Sequence, residues 1–175
     1  WKKIKNCLPS TDSAKIFAEF DNLNVTKFQG LQTVFDGHFE DLTPFVQKMR
    51  LIKSQDEIDK MIVAGQFADK AVKVGFDNIS LNNTETDIIA MIEFEMKKQG
   101  VEKMSFDTMV LTGNNAANPH GIPGTNKIEN NALLLFDLGT DMYGYASDMT
   151  RTVAVGKPDQ FKKDIYNLCL EAHMS

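Results

Sequence analysis

Two aspartates with ten residues between them, Asp137 and Asp148, lie in the stretch FDLGTDMYGYASDMTRTV and constrain the chain more than any other feature. Residues 132–139 and 145–155 both read as strands, Asp141 suits a turn and Gly144 suits a left-handed position, so the segment predicts a hairpin. A loop over residues 141–144 with Gly144 last pairs Thr140 with Tyr145, and counting outward sets Asp137 opposite Asp148 on one face. Directly opposed residues in an antiparallel ladder have Cβ atoms about 4.5–5.5 Å apart, where like charges repel unless something neutralises them. A divalent cation, or a pair of them, does so. Asp137 follows Leu133, Leu134, Leu135 and Phe136 and so ends a buried strand, where an unpaired charge is costly. Oxygen ligands favour Mn²⁺, Mg²⁺ or Ca²⁺, and Zn²⁺ and Co²⁺ accept them when imidazole joins. The competing reading is a solvated turn decorated with acids, which fits Asp141 well and Asp137 poorly. The pairing also rests on register, because a slip of one residue turns every side chain to the other face.

The 175 residues, 42% of them hydrophobic, suffice for one sizeable core, or for one domain and part of another. A net charge of -5 with scattered Lys and Arg offers no basic stripe for phosphate, so nucleic acid is not an expected partner. No apolar run approaches the ~20 residues that span a bilayer, and the opening Trp-Lys-Lys-Ile-Lys-Asn has no apolar segment behind it. A cytoplasmic protein without membrane contact is the expectation. Cys7 and Cys169 lie near opposite ends without metal-ligand spacing and are expected to be two thiols in a reducing compartment. The glycosylation sequons at Asn24, Asn78 and Asn82 are read as turn and cap residues.

The first fifty residues have a strand-helix rhythm. Residues 15–20 read as a strand, residues 24–35 place Phe28, Leu31 and Val34 or Phe35 at helical spacing, and Pro44 opens a short helix over 43–49. His38, in Asp-Gly-His-Phe, reads as a turn residue. A second domain begins near Ser54, which with Glu57 forms a capping box ahead of an apolar stripe through Ile58, Met61, Ile62, Ala68, Ala71 and Val72 that stops at Gly75. The next helix has Thr84 as cap with Asp87 three residues on, and stops at Lys97, Lys98, Gln99 and Gly100. A strand over 104–111 and a loop, GNNAANPHGIPG, whose Gly, Asn and Pro content argues against regular structure, lead to the hairpin. Phe161, Ile165, Leu168 and Ala172 form a last helix capped by Asp159, with His173 on its surface. Trp1 in place of an initiator Met, and a final helix cut without a cap, imply a longer functional unit.

The motifs Phe106-Asp107-Thr108-Met109-Val110-Leu111, Asn118-Pro119-His120-Gly121-Ile122-Pro123-Gly124, Leu135-Phe136-Asp137-Leu138-Gly139 and Tyr145-Ala146-Ser147-Asp148-Met149-Thr150-Arg151-Thr152 resemble those of the pita-bread metallopeptidases, most closely the bacterial Xaa-Pro dipeptidases, or prolidases. The resemblance covers about residues 50–175, and residues 1–49 look like the end of that group's creatinase-type N-terminal α/β domain. It implies an α+β fold, the first half of a pita-bread domain with helices packed on a curved antiparallel sheet. By the same resemblance, Asp137 is a terminal ligand of one metal and Asp148 bridges two, commonly Mn²⁺ or Co²⁺, with Zn²⁺ also accepted. His120 corresponds to a histidine that contacts substrate near the scissile carbonyl, and Thr150 supplies a hydroxyl to a ligand carboxylate. The implied substrate is a small peptide with proline in second position, and the implied assembly is a homodimer.

The family's further His and two Glu ligands and its proton-shuttling acid belong to the second half of the fold, and none of them is found in these residues. Two carboxylates alone hold a transition metal weakly, so this stretch by itself is expected to be inactive. Other readings are an aminopeptidase P acting on longer Xaa-Pro peptides, a methionine aminopeptidase, a metal-free pita-bread binding module, and creatinase-like chemistry.

Overall fold

The computed structural model describes Lys3, residues 15–35 and residues 37–175. Contacts divide the chain into two compact units between Ser54 and Gln55. In the first, β1 (Lys15–Ala18) runs parallel to β2 (His38–Asp41), and α1 (Val25–Gln32) connects them. Asn24 caps α1, its side-chain oxygen accepting from the Lys27 N–H at 2.9 Å. Leu31, Val34 and Phe35 form a small core with Ile16, Leu23 and Phe39. His38 is therefore not a turn residue: it opens β2 opposite Lys15, because Phe39 in the same run is needed under the helix. The expected short helix follows as α2 (Thr43–Leu51), with Pro44 in its first turn.

The second unit is built on two helices, α3 (Gln55–Asp77) and α4 (Glu85–Lys98). Ala64, Ala68 and Ala71 lie fully buried along one stripe of α3, and these small side chains allow close approach to the sheet. The helix does not stop at Gly75 but continues to Asp77. Gly75 is a contact point instead of a terminator: a Cβ there would lie 2.6 Å from Phe136 Cε1 and 3.0 Å from Ile92 Cδ1. The α4 capping box forms as expected, with the Thr84 N–H donating to Asp87 at 2.8 Å and the Asp87 N–H donating to the Thr84 hydroxyl at 3.2 Å. Ile88, Ile92 and Met96 then point into the core from successive turns.

Antiparallel strands lie against these helices. β4 (Met109–Thr112), β5 (Ala132–Leu138) and β8 (Met149–Val155) make one sheet in the order β4-β5-β8, while β3 (Lys103–Met104), β6 (Thr140–Met142) and β7 (Tyr145–Ala146) make another in the order β3-β6-β7. Along β5, Ala132, Leu134, Phe136 and Leu138 are buried, the last three in the core shared with the helices, and Leu133, Leu135 and Asp137 are half-buried on the other face. The strand expected over 104–111 is interrupted. Met104 pairs with Thr140 and Met109 with Asp137, so Ser105, Phe106, Asp107 and Thr108 span what Leu138 and Gly139 span on the partner. That is a bulge, and it explains why a continuous apolar run does not give a continuous ladder. The loop after β4 opens with a 3-10 turn over Gly113–Ala117, regular structure where its composition argued for none. The last helix, α5 (Gln160–Met174), starts as expected at Asp159, which accepts from the Lys162 N–H at 2.9 Å.

Gly75→Val is expected to destabilise the unit by about 1–3 kcal/mol through overpacking against Phe136, seen as a lower urea midpoint at unchanged slope. An unchanged midpoint would contradict the contact.

Candidate functional site

The hairpin tip sets the site. Tyr143 and Gly144 have φ of 57° and 78°, both left-handed, which is the signature of a two-residue turn matched to strand twist. Met142 consequently pairs with Tyr145, Asp141 with Ala146, Leu138 with Met149 and Asp137 with Thr150. The expected loop over 141–144 is corrected on this point: Asp137 opposes Thr150, not Asp148. Because the difference amounts to two residues and side chains alternate with period two, the faces are preserved. Carried across the gap between these two ladders, the same register sets Asp148 opposite Gly139, on the face of Asp137 and diagonal to it, where strand geometry puts such neighbours about 7–8 Å apart.

The surroundings of the two acids differ. Asp137 is half-buried between Met109 of β4 and Thr150 of β8, and the Thr150 hydroxyl donates to its Oδ1 at 3.0 Å. Asp148 is exposed. Asp141 is not the solvated turn acid expected: it lies in β6, its side chain is only 14% exposed, and its Oδ2 stands 3.2 Å from the Lys103 ammonium. The face thus carries two carboxylates, with a hydroxyl donating to one of them, hard oxygen donors of the kind that could hold a divalent cation as part of a coordination shell. Among the described residues no cluster of three or more His, Cys, Asp or Glu side chains is placed to complete that shell.

Two contacts tie the hairpin to α3. The Thr140 and Ser147 hydroxyls both donate to the Ala64 carbonyl, at 2.8 and 3.1 Å. At the tip, the Tyr145 hydroxyl donates to Glu57 Oε1 at 2.9 Å, and that bond to a carboxylate, with burial behind it, raises the phenol above its ordinary pKa. Next to the Thr140 and Ser147 anchor, the two arms pass closely at Gly139, where a Cβ would lie 2.0 Å from the Ser147 carbonyl oxygen. The Ser105 hydroxyl fills the remaining space and donates to that same oxygen at 2.7 Å.

His120 is exposed in the loop that joins β4 to β5. Its backbone N–H donates to Asn118 Oδ1 at 3.1 Å, and no hydrogen bond joins its ring to Asp137 or Asp148. The loop is organised by a residue that sequence reasoning missed, Glu85, the first residue of α4, which is fully buried. Its carboxylate accepts from the backbone N–H of Thr112 at 2.8 Å and of Gly124 at 2.9 Å, and from the side-chain amides of Asn115 and Asn126. An acid in a first helical turn ordinarily signals only dipole complementarity, and the one other sign was the Asn-rich loop downstream. Of the remaining candidates, His173 and Cys169 are exposed on α5, and Cys7 lies outside the described residues. No helix among the described residues is long and apolar enough to cross a membrane.

Residues 59–175 match metallopeptidase family M24. The chain is 41% identical over 162 residues to an uncharacterized peptidase of Staphylococcus aureus, covering 92% of this chain and 46% of that protein. Among solved structures, an Xaa-Pro dipeptidase from Bacillus anthracis superposes with a TM-score of 0.87 at 36% identity, over 91% of this chain and 45% of the other. The prolidase from Pyrococcus horikoshii gives 0.89 at 32% identity, over 98% and 49%, and an X-Pro aminopeptidase from Thermotoga maritima gives 0.88 at 28%, over 98% and 49%. The chain therefore spans about half the length of the relatives it matches. The fold is the α+β pita-bread fold, matched over about half the length of those chains.

Gly139→Ala is expected to cost about 3 kcal/mol, because backbone atoms must move, whereas Gly144→Ala, which meets nothing and opposes only the left-handed φ, costs about 1 kcal/mol. Thermal unfolding of the two variants measures both, and a reversed order would contradict the close approach of the arms.

Proposed function

The chain belongs to metallopeptidase family M24, and from that premise we propose that the full-length protein is a metal-dependent dipeptidase that hydrolyses the bond between a first residue and a following proline. The observation that carries this reading is the placement of Asp137 and Asp148 on one hairpin face, with Thr150 donating to Asp137. Asp137 and Asp148 would hold part of a site for two divalent ions, Mn²⁺ or Co²⁺, with Zn²⁺ accepted, and the remaining ligands would lie outside this chain. Asp148 is exposed and so open to an ion, and the diagonal offset leaves more room between the carboxylates than direct opposition does. When bound, the metals supply an activated water and polarise the scissile carbonyl. The residues of this chain do the rest: Thr150 holds Asp137 in orientation, and an N–H of the His120 ring donates to the carbonyl oxygen of the substrate. Water adds to the carbonyl carbon, the C–N bond to proline breaks, and the proline nitrogen leaves with a proton.

In this reading residues 1–49 end a creatinase-like N-terminal domain and residues 50–175 form the first half of the catalytic domain. The whole protein is cytoplasmic and homodimeric, and it acts on small peptides with proline in second position. The similarity to the Thermotoga maritima X-Pro aminopeptidase favours a second reading, an aminopeptidase P acting on longer Xaa-Pro peptides. Turnover of leucyl-proline against a tripeptide with proline in second position separates the two. A pita-bread binding module without metals is the non-enzymatic alternative, and the retained Asp137 and Asp148 argue against it.

Asp148→Ala is expected to abolish turnover of leucyl-proline by the full-length protein. Chelation should do the same and lower the melting temperature, since the ions bind the folded state and relieve repulsion between the acids. Turnover that survives both treatments would refute the metal mechanism.

A further inference from the structure

We propose that Glu85 is the positioning residue for His120, a claim that rests on the peptidase reading above. Glu85 is fully buried, and no salt bridge among the described residues includes it. A buried carboxylate without a cation is costly unless N–H donors surround it. Four do so here, on a group with about four lone-pair sites: the Thr112 and Gly124 backbone N–H groups and the Asn115 and Asn126 amides. The N-terminal end of α4 adds its partial positive charge.

The arrangement of the donors shows what the carboxylate is for. Oε1 accepts from Thr112 N–H, where the chain leaves β4, and Oε2 accepts from Gly124 N–H, where the loop returns. One side chain 27 and 39 residues away thus closes both ends of the segment that carries His120. Glutamine cannot replace it. In either orientation its amide NH₂ would face a backbone N–H that has no freedom to turn, so one end of the loop is released. Inside the closed loop the linkage runs on to His120. Asn115 Nδ2 bridges Glu85 and the Ile122 carbonyl at 3.2 Å, the Asn118 N–H donates to the Asn115 carbonyl at 3.2 Å, and Asn118 Oδ1 accepts from the His120 N–H at 3.1 Å. The adjacent Gly121 packs so tightly that a Cβ would lie 2.8 Å from Leu111 and 3.0 Å from the Asn115 carbonyl oxygen. The His120 side chain is exposed, and the hydrogen bond that fixes the residue is made by its backbone N–H. Its place over the substrate is set by this backbone, and the backbone is set by Glu85.

The test uses the full-length protein and four forms: wild type, Glu85→Gln, His120→Ala and the double variant. Glu85→Gln is expected to lower kcat on leucyl-proline by about 100-fold with little change in KM, the usual consequence of a displaced catalytic group. The double variant should lose no more than His120→Ala alone, because both changes disable one device. Losses that multiply would show that Glu85 serves only the fold and would overturn the proposal. Amide exchange supplies a readout independent of substrate. In wild type the Gly124 N–H should exchange as slowly as core amides of α4, and in Glu85→Gln protection should fall across residues 112–126 only. Rapid wild-type exchange at Gly124 would overturn the clasp even if the other variants failed to fold. Unchanged turnover in His120→Ala, with slow exchange at Gly124, would instead refute the role given to His120 and leave the clasp without a catalytic purpose.

Discussion

The two-residue turn at Tyr143 and Gly144 is the constraint on which the site depends. It sets one register that holds from the tip, where Met142 meets Tyr145, down to Ala132 and Val155. Period-two alternation then divides the central strand between two tasks. Leu134, Phe136 and Leu138 go to the helices, and Asp137 goes to the opposite face with Asp148 and Thr150. A shift by one residue would bury the acids and expose the core. The anchoring of Tyr145 to Glu57, and of Thr140 and Ser147 to the Ala64 carbonyl, makes that shift costly, because each bond joins the hairpin to a helix far away in sequence.

The same economy governs the helices. Small residues on α3 admit the sheet at close range, with Phe136 resting on Gly75 and Phe76 meeting its ring edge-on at 5.2 Å between centroids. Helix α4 contributes Ile88, Ile92 and Met96 to that core, while its first residue, Glu85, reaches away from it to the loop bearing His120. The fold and the candidate site therefore share elements throughout: β5 is core on one face and site on the other, and α4 is core along its length and loop clasp at its start.

Much of this was legible in the sequence because it is local. The capping box of Thr84 and Asp87, the caps at Asn24 and Asp159 and the Ala68, Ala71 and Val72 part of the α3 stripe need only residues within a turn or two of one another, whereas Ile58, Met61 and Ile62, read into the same stripe, are exposed. What escaped was non-local or locally disguised. Tyr143 in a left-handed conformation goes against its intrinsic preference, so Asp141, a good turn former, drew the loop toward itself and the pairing was displaced by two residues. The bulge at Ser105–Thr108 depends on the tight passage of Gly139 past Ser147, which no pattern within residues 104–111 reveals. His38-Phe39-Glu40-Asp41 lacks β-branched residues and becomes a strand only because β1 and α1 receive it. Glu85 looks like any acid in a first turn, and its importance lies entirely in donors that arrive from residues 112–126.

The most direct test of the central claim, that Asp137 and Asp148 are metal ligands, is anomalous diffraction at the manganese edge from crystals of the full-length protein grown with Mn²⁺. The account predicts two peaks, with the Asp137 and Asp148 carboxylates each within bonding distance of at least one of them. Peaks remote from both aspartates, or none at saturating Mn²⁺, would contradict it.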